Sequence, residues 1–354
     1  MPSLLLVINP GNTSTKVGIF AEDRPRFVET IKHTDDELRR FRDINSQLEF
    51  RKEVVLGFLK TKNVPLASLA AIVARGGLLK PVPSGTFIVS ERMIADLVAE
   101  KKGAHASNLA AQIGYAIAQT VGITCYVVDP VSVDECQSLA RYSGHRLFER
   151  VMLTHALNMR AVAKRHAKEN RLDYSRLTLI VIHLGTGVSL SLHCRGRMID
   201  AVNPSEEGPF SMDRSGGLPI LQIARYICDN RMPYKDFEKT VFGSGGVYSY
   251  LGVKDFLKVQ EMIGSGHPQA QEIVDAMAYQ IAKDAGALST VVAGDVDGIL
   301  ITGGMAHVDS FVNQIRQRIA FIAPVRVYPG EDEMQALAEG AWRVLSQEEK
   351  AKEY

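Results

Sequence analysis

The sequence predicts an α/β fold in which one domain is duplicated, and two observations support this prediction. Residues 4–20 contain an apolar run, a turn of small polar residues and an alternating run, typical of a strand hairpin: LLLVI, NPGNTS and TKVGIF. Residues 177–194 repeat this order with LTLIVI, HLGTG and VSLSLHC. Residues 8–12 then align with residues 182–186, and two such hairpins in one chain indicate an internal repeat.

The tip of the first hairpin has the composition of a phosphate-binding turn. Gly11 lets an anion approach the backbone, its small neighbours leave backbone N–H groups open, and Lys16 adds a positive charge. An ordinary polar hairpin explains the first copy equally well, but the recurrence favours a functional turn. Two facing copies could hold a polyphosphate, one turn from each side.

Composition limits the classes of protein that fit this chain. Its 354 residues suffice for two domains with their own cores, and 46% hydrophobic with 23% charged residues is ordinary for a globular protein. A net charge of +1 does not favour nucleic acid or a membrane surface as a partner. No apolar run is long enough to span a bilayer, and residues 1–8 lack the features of a signal peptide. Four cysteines without C-x-x-C spacing favour reduced thiols in a cytoplasmic protein.

The other elements follow from apolar runs and helix signals along the chain. Strands are predicted over residues 69–74, 124–128, 298–302 and 325–328. Helices are predicted over residues 41–62, 90–101, 107–122, 147–168, 221–227, 269–292 and 334–345. The charged tail to Tyr354 is expected to be solvated or frayed. Because no low-complexity linker separates the halves, we expect them to pack closely with a cleft between them.

Several polar residues follow predicted strands, where open α/β sheets place their site residues. The sequence contains no P-loop, Rossmann, zincin or nucleophile-elbow motif. Phosphoryl transfer needs backbone donors for phosphates, a carboxylate for Mg²⁺ and cations for the transferred group. The candidates for these roles are Asn9, Arg75, Asp129, His183, Arg214, Gly303, Gly304 and Glu333.

Each candidate also has a purely structural explanation. Arg75 could bind carbonyl groups, Asp129 could form a turn before a proline, and Asp213 could simply neutralise Arg214. His155, on a predicted apolar helix, is more typical of a core histidine than of a catalyst. The acidic residues 331–333 could interact with a helix dipole instead of a metal.

The chain resembles the acetate kinase/butyrate kinase family of the sugar kinase/Hsp70/actin superfamily, most clearly its butyrate kinase branch. The segments that carry the resemblance are VINPGNTSTK (7–16), ARGGLLKPVPSGT (74–86), VIHLGTGVS (181–189), DRSGG (213–217), ITGGM (301–305) and PGEDE (329–333). It implies two duplicated actin-like ATPase (ribonuclease H-like) domains, formed by residues 1–129 plus 335–354 and by residues 130–334. ATP and Mg²⁺ would lie in the cleft between them.

The resemblance also implies a role for each matching position. Catalytic roles fall to Arg214, Asp129, Arg75, His183 and Asn9, and phosphate or ATP binding to Asn12, Ser14, Lys16, Gly185, Thr186, Gly187, Gly303 and Gly304. Metal binding falls to Glu333 and Asp129, although Asp332 aligns as well as Glu333. Residues 255–256 are a weaker match to an adenine-contacting pair.

Three departures from the family pattern bear on the substrate. Ile72 occupies the position of the arginine that binds the substrate of acetate kinase, so Arg75 would have to reach the carboxylate instead. Residues 151–155 retain only the second histidine of the family's FHGTSH motif, and the first two changes are expected to make the acyl end more apolar. Residues 306–308 replace a Gly-Glu-Asn that follows the adenosine-binding turn.

The expected reaction is direct, reversible in-line transfer from ATP to butanoate, giving butanoyl phosphate and ADP. Asn9 replaces the aspartate of relatives that activate a hydroxyl or water, and a carboxylic acid of pKa ~4–5 needs no base at neutral pH. Branched-chain, propionate or acetate kinases are the alternatives within the family. A nucleotide-switched interaction protein is the alternative of another class. The resemblance further implies a cytoplasmic homo-oligomer.

Overall fold

The computed structural model describes residues 4–99 and 105–354, which form two compact units. Unit 1 combines the chain up to Asp134 with Ala156–Asn158 and Asp332–Tyr354. Unit 2 comprises Glu135–His155 and Met159–Glu331. Among the described helices, none has both the length and the apolar composition that crossing a bilayer requires.

Unit 1 is built on a six-stranded sheet with the strand order β3-β2-β1-β4-β6-β5. Strands β1, β2 and β3 pair antiparallel, β1, β4 and β6 pair parallel, and β5 runs antiparallel to β6. The elements are β1 (Leu4–Pro10), β2 (Ser14–Ala21), β3 (Arg24–Lys32), α1 (Asp35–Leu38), α2 (Leu48–Thr61), β4 (Leu69–Arg75), β5 (Thr86–Ile88), α3 (Glu91–Val98), α4 (Asn108–Val121), β6 (Thr124–Val128) and, at the end of the chain, α12 (Glu333–Leu345).

Unit 2 contains a five-stranded sheet with the order β11-β10-β9-β12-β13. The first two pairings are antiparallel and the last two parallel, as in β3-β2-β1-β4-β6. The elements are β7 (Tyr142–His145), β8 (Phe148–Glu149), α5 (Ala156–Glu169), β9 (Thr178–Leu184), β10 (Val188–Cys194), β11 (Arg197–Val202), α6 (Ile220–Asp229), α7 (Tyr234–Val241), α8 (Gly246–Leu251), α9 (Phe256–Gly264), α10 (Ala270–Thr290), β12 (Gly298–Gly303), α11 (Asp309–Ile319) and β13 (Val325–Pro329).

The two sheets confirm the predicted α/β fold and its internal repeat. The hairpins β1–β2 and β9–β10 occupy the same place in their sheets, and three residues separate the strands of each, Gly11–Thr13 and Gly185–Gly187. β1 and β9 are the central strands of their sheets, and their apolar side chains lie in the hydrophobic cores. Because the neighbouring strands β4 and β12 run parallel to them, polar residues at their carboxyl ends share one sheet edge within each unit.

One predicted helix begins much later in the structure than the sequence indicates. The helix predicted over residues 147–168 begins only at Ala156, and a short two-stranded ribbon, β7–β8, precedes it. Arg150 explains the late start: its guanidinium is bound by Glu207 and by the carbonyl groups of Ala140 and Ala201. These partners hold the segment in an extended path that overrides its helix propensity.

The carboxyl-terminal tail is ordered, contrary to the prediction that it is solvated or frayed. Lys352 donates its N–H to Thr86 and accepts from Ile88, so the tail continues unit 1's sheet beside β5. The Tyr354 hydroxyl donates to Asp96 at 2.9 Å, and the Lys80 ammonium lies 4.2 Å from its ring centroid. The helix predicted over 41–62 begins at Leu48, while the predicted end of α3 near Lys101 lies outside the described residues.

Candidate active site

The first glycine turn, Gly11–Thr13, is held from below by Arg51 of α2. Arg51 Nη1 donates to the carbonyl oxygens of Gly11 and Ser14, both at 2.9 Å, and Nη2 donates to that of Asn12 at 3.0 Å. Within the described residues the N–H groups of Asn12 and Thr13 have no acceptor, and both residues are exposed. The turn therefore directs carbonyls inward and offers N–H groups outward, as anion binding requires.

The other residues predicted for this turn lie around it. Ser14 begins β2 and is half-buried, and its Oγ lies close to Gly11. Lys16 is also half-buried and pairs with Asn9 across the β1–β2 register. Their phosphate-binding roles stay predictions.

Asn9, Arg75 and Glu333 form one polar cluster in unit 1. Asn9 and Arg75 lie near the carboxyl ends of the parallel strands β1 and β4, and Glu333 is the first residue of α12. Asn9 Nδ2 donates to Glu333 Oε2 at 2.7 Å, and Arg75 Nη1 forms an ion pair with Glu333 Oε1. The Arg75 guanidinium, which was predicted to bind the carboxylate of the substrate, is therefore paired with the Glu333 carboxylate in the structure.

Asp129 follows β6 and is buried. Its Oδ1 accepts from the Gly85 N–H at 2.7 Å, and its own N–H donates to the Gly85 carbonyl at 3.0 Å. The backbone of Asp129 has a positive φ of 36°, which favours asparagine, aspartate and glycine. This arrangement ties the loop before β5 to the sheet edge, so Asp129 has a structural contact at the place where metal binding was predicted.

In unit 2, two stacked histidines lie beside the second glycine turn. His183 is 1% exposed, and its Nε2 lies 3.1 Å from Glu331 Oε1. The His155 ring stacks on it with centroids 3.9 Å apart and planes 12° apart. His155 Nδ1 in turn lies 2.8 Å from Ser189 Oγ, and Ser189 is the cross-strand neighbour of His183.

Arg214 packs against the same turn. A Cβ added to Gly187 would lie 2.6 Å from Arg214 Cζ, and the guanidinium lies 4.4 Å from the centroid of the Phe242 ring. Burial lowers the pKa of this guanidinium, and the charge of Asp213 opposes that change. Its Nε–H has no acceptor and its guanidinium no ion-pair partner among the described residues. An unpaired, largely buried cation at a glycine turn fits an anionic ligand.

The remaining residues of the two predicted glycine motifs in unit 2 differ in exposure. Gly185 and Gly187 are buried, whereas Thr186 is exposed at the tip. Gly303 has a φ of 95°, and a Cβ there would meet the Leu184 backbone at 2.4 Å, so only glycine fits. Gly304 faces open space, and its adenosine-binding role stays a prediction.

The residues of the weaker adenine match have structural contacts instead. Phe256 is 7% exposed and packs edge-on against Phe311 in the core. Asp255 caps α9 by accepting from the Leu257 N–H at 2.9 Å. The structure therefore leaves Phe256 no open face for an adenine ring.

Ile72 lies in the core of unit 1 and is fully buried in β4. It cannot line a site open to a ligand, so its expected contribution to an apolar acyl end is wrong. Met152, from the altered histidine motif, is buried as well, and Leu153 is half-buried.

Sequence reasoning missed Arg51 and did not predict that His155 stacks on His183. Arg51 lies four residues after Gln47 in a charged helix, and nothing in this pattern indicates that it is buried beneath a turn 40 residues away in sequence. His155 was expected to be an ordinary core histidine. The contact partners of His155 are Ser189 and His183, and the register of β9–β10 places these two residues opposite each other. This pairing is a local feature that the sequence could have indicated.

Comparison with known proteins agrees with the fold and the motifs. The family model of the acetokinase family matches residues 147–340. Butyrate kinase 1 and butyrate kinase 2 of Clostridium acetobutylicum are 46% and 45% identical over 351 residues, covering 99% of both chains in each comparison.

Solved structures of low sequence identity show the same fold. The acetate kinase of Porphyromonas gingivalis superposes with a TM-score of 0.77 at 17% identity, covering 96% of this chain and 99% of that one. The acetate kinase of Entamoeba histolytica gives 0.76 at 18% identity, with 98% and 100% covered. These likenesses confirm the predicted actin-like ATPase fold. Taken with the full-length sequence relatives, they establish that the chain belongs to the acetokinase family.

Proposed function

We propose that this protein is a butyrate kinase, which transfers the γ-phosphoryl group of ATP reversibly to butanoate. The observation that supports this most strongly is the unpaired Arg214 guanidinium against the second glycine turn. A phosphoryl group in transfer spreads negative charge over its equatorial oxygens, and an arginine stabilises that charge effectively. We take butanoate as the phosphoryl acceptor because both full-length relatives are named butyrate kinases.

The proposed phosphate and nucleoside roles are those that the resemblance implies, and the open N–H groups of the first turn support them. The open N–H groups at Asn12 and Thr13, with Ser14 and Lys16, bind phosphate oxygens at the first turn. At the second turn, Gly185, Thr186 and Gly187 do the same, and Gly303 and Gly304 bind the nucleoside.

The acceptor carboxylate is ionised before it binds, so the site needs cations and not a base. Arg75 is its proposed partner, and butanoate would take over a guanidinium that Glu333 binds in the structure. Arg214 and His183 stabilise the transferring group, while Asn9 adds a neutral amide donor. The bond from the γ-phosphorus to the bridging oxygen of ATP breaks as the carboxylate oxygen bonds to that phosphorus.

A magnesium ion fits these residues only as one carried by the nucleotide. No group of three or more histidine, cysteine or acidic residues suited to a metal occurs in the described part of the chain. Glu333 binds Arg75 and Asn9, and Asp129 binds the Gly85 N–H, whereas Asp332 is exposed. Mg²⁺ commonly takes one or two carboxylates plus substrate phosphates, so one of these acids suffices. When bound, the ion would neutralise charge on the phosphates.

Trapping the product tests the proposed function. The purified protein with ATP, Mg²⁺, butanoate and hydroxylamine should form butanoyl hydroxamate and ADP in equal amounts. Matched reactions with acetate, propionate and branched acids give relative kcat/KM, and a higher value for one of these acids would assign the chain to the corresponding sibling enzyme. ATP consumption without hydroxamate from any acid would favour a nucleotide-switched interaction protein.

We further propose that the enzyme works in the cytoplasm as a homo-oligomer, with no nucleic acid or membrane partner. Near-zero net charge supports the absence of a polyanionic partner. Light scattering on the purified protein measures the oligomeric state, and a monomeric mass would contradict this part of the proposal.

A further inference from the structure

Arg51 is one of the most deeply buried large side chains in unit 1, at 1% exposure. It belongs to α2, and its Nε donates to Gln47 Oε1 at 2.9 Å, one helical turn earlier. That bond fixes the orientation of the guanidinium plane. The two terminal nitrogens then point at the first glycine turn.

Every contact of the terminal nitrogens is to the hairpin. Nη1 binds the carbonyls of Gly11 and Ser14 and, at 3.2 Å, Thr15 Oγ1, and Nη2 binds the carbonyl of Asn12. The five donors of a guanidinium lie in one rigid plane and hold several carbonyls in a fixed arrangement, whereas the three donors of an ammonium group rotate on a flexible stem. Three carbonyls are thereby drawn to one side, which leaves the unpaired N–H groups on the other.

The charge of Arg51 is not balanced by a nearby acid. Among the described residues, no carboxylate forms an ion pair with it, and burial lowers the pKa of its guanidinium. Its positive charge also helps burial lower the pKa of His33, against the opposing effect of Glu37. A buried cation that meets only neutral acceptors is costly, and an anion bound nearby would offset that cost.

We propose that Arg51 is a positioning residue that holds the first glycine turn in its phosphate-binding form, and that the nucleotide's polyphosphate balances its charge. This inference rests on the proposed function in one respect, because it takes a nucleotide as the ligand of the turn. A merely structural arginine would affect stability alone. A positioning arginine also affects the affinity for phosphates in protein that is fully folded.

The test compares Arg51→Gln and Arg51→Lys with the wild-type protein at a temperature where circular dichroism shows each to be folded. Arg51→Gln should raise the KM and the calorimetric Kd for ATP about 10–100-fold, the loss expected for charge-assisted hydrogen bonds. The KM for butanoate should change less than threefold, and adenosine, which lacks phosphates, should bind equally to both proteins. Arg51→Lys keeps the charge without the fork, so its Kd for ATP should rise about fivefold.

Arg160→Gln is the matched control. Arg160 is also a buried arginine of unit 2, bound to Glu135 and to the Gly196 carbonyl, which lies at the end of the β9–β10 hairpin opposite to the second glycine turn. It should lower the melting temperature while leaving the Kd for ATP within threefold of wild type.

The proposal is overturned if the Kd of folded Arg51→Gln for ATP lies within threefold of the wild-type value. It is also overturned if the control Arg160→Gln weakens ATP binding as much as Arg51→Gln does. Should Arg51→Gln not fold, Arg51→Lys decides the matter: an unchanged Kd for ATP overturns the proposal. Wild-type protein that binds ATP but yields no acyl hydroxamate would refute the kinase function and leave the role of Arg51 standing.

Discussion

Replacing Gly187 by alanine should move the Arg214 guanidinium without removing it. The new Cβ would lie 2.6 Å from both Cζ and Nη1 of Arg214, whereas such atoms need roughly 3.5 Å. Gly187 does not have a positive φ, so the alanine is not strained by its own backbone. The guanidinium must therefore shift by roughly 1 Å to relieve this overlap.

A displacement of this size predicts a large kinetic effect in a folded protein. Misplacing a catalytic group by about 1 Å lowers turnover on the order of 100-fold. We expect kcat for butanoyl phosphate formation to fall by that factor, with little change in the KM for ATP. Arg214→Ala should lower kcat by about 10³. The assay is the hydroxamate trap at saturating ATP and butanoate.

The control and the double variant decide whether the effect acts through Arg214. Gly286→Ala, in α10 of the same unit, adds its methyl group where nothing lies within 4 Å and should retain full activity. Gly187→Ala combined with Arg214→Ala should be no slower than Arg214→Ala alone, because the displaced group is already absent. The reasoning would be refuted if Gly187→Ala alone kept more than a third of the wild-type kcat. It would also be refuted if the effects of Gly187→Ala and Arg214→Ala on kcat were additive in the double variant.

Two further predictions concern stability. Tyr354→Phe removes the hydrogen bond to Asp96 and should lower the free energy of unfolding by about 1 kcal/mol in urea titrations, and no change would mean that the tail contributes nothing. Burial, with a smaller contribution from Glu207 against the opposing charge of Lys283, raises the pKa of Asp284 from its ordinary 3.8 to about 6. Between pH 3.8 and about 6, Asp284 loses its proton in the unfolded state before it does so in the folded state. The free energy of unfolding should therefore fall by about 1–2 kcal/mol as the pH rises through this range, after allowance for partial exposure. Asp284→Asn should abolish that fall, and an identical pH profile would contradict the assignment.

The sequence was sufficient for features that short segments determine. Both hairpins were predictable because an apolar strand, a glycine turn and an alternating strand lie within 20 residues. The capped start of α3 at Ser90 and the left-handed end of α4 at Gly122 were also local, and both are confirmed. The resemblance then placed the fold within a superfamily, which periodicity alone could not do.

Features set by distant contacts were not predictable. The ribbon before Ala156 exists because Arg150 finds partners 10, 51 and 57 residues away. The tail is ordered because Lys352 reaches a strand more than 260 residues earlier. Propensity carries no information on such pairings, since tertiary contacts override a weak local preference.

The two hairpins differ in how a nearby arginine contacts their glycine turns. This difference fits the two roles that we propose for the turns. Arg51 donates to three carbonyl groups at the first turn, so its guanidinium shapes the backbone of that turn. Arg214 lies against the second turn with its Nε–H unpaired, so it can follow the charge that develops on a transferred group. Under the proposed function, we expect the first turn to bind phosphates that do not react and the second to stabilise the one that does. A fully bonded arginine beneath the second turn would have removed that capacity.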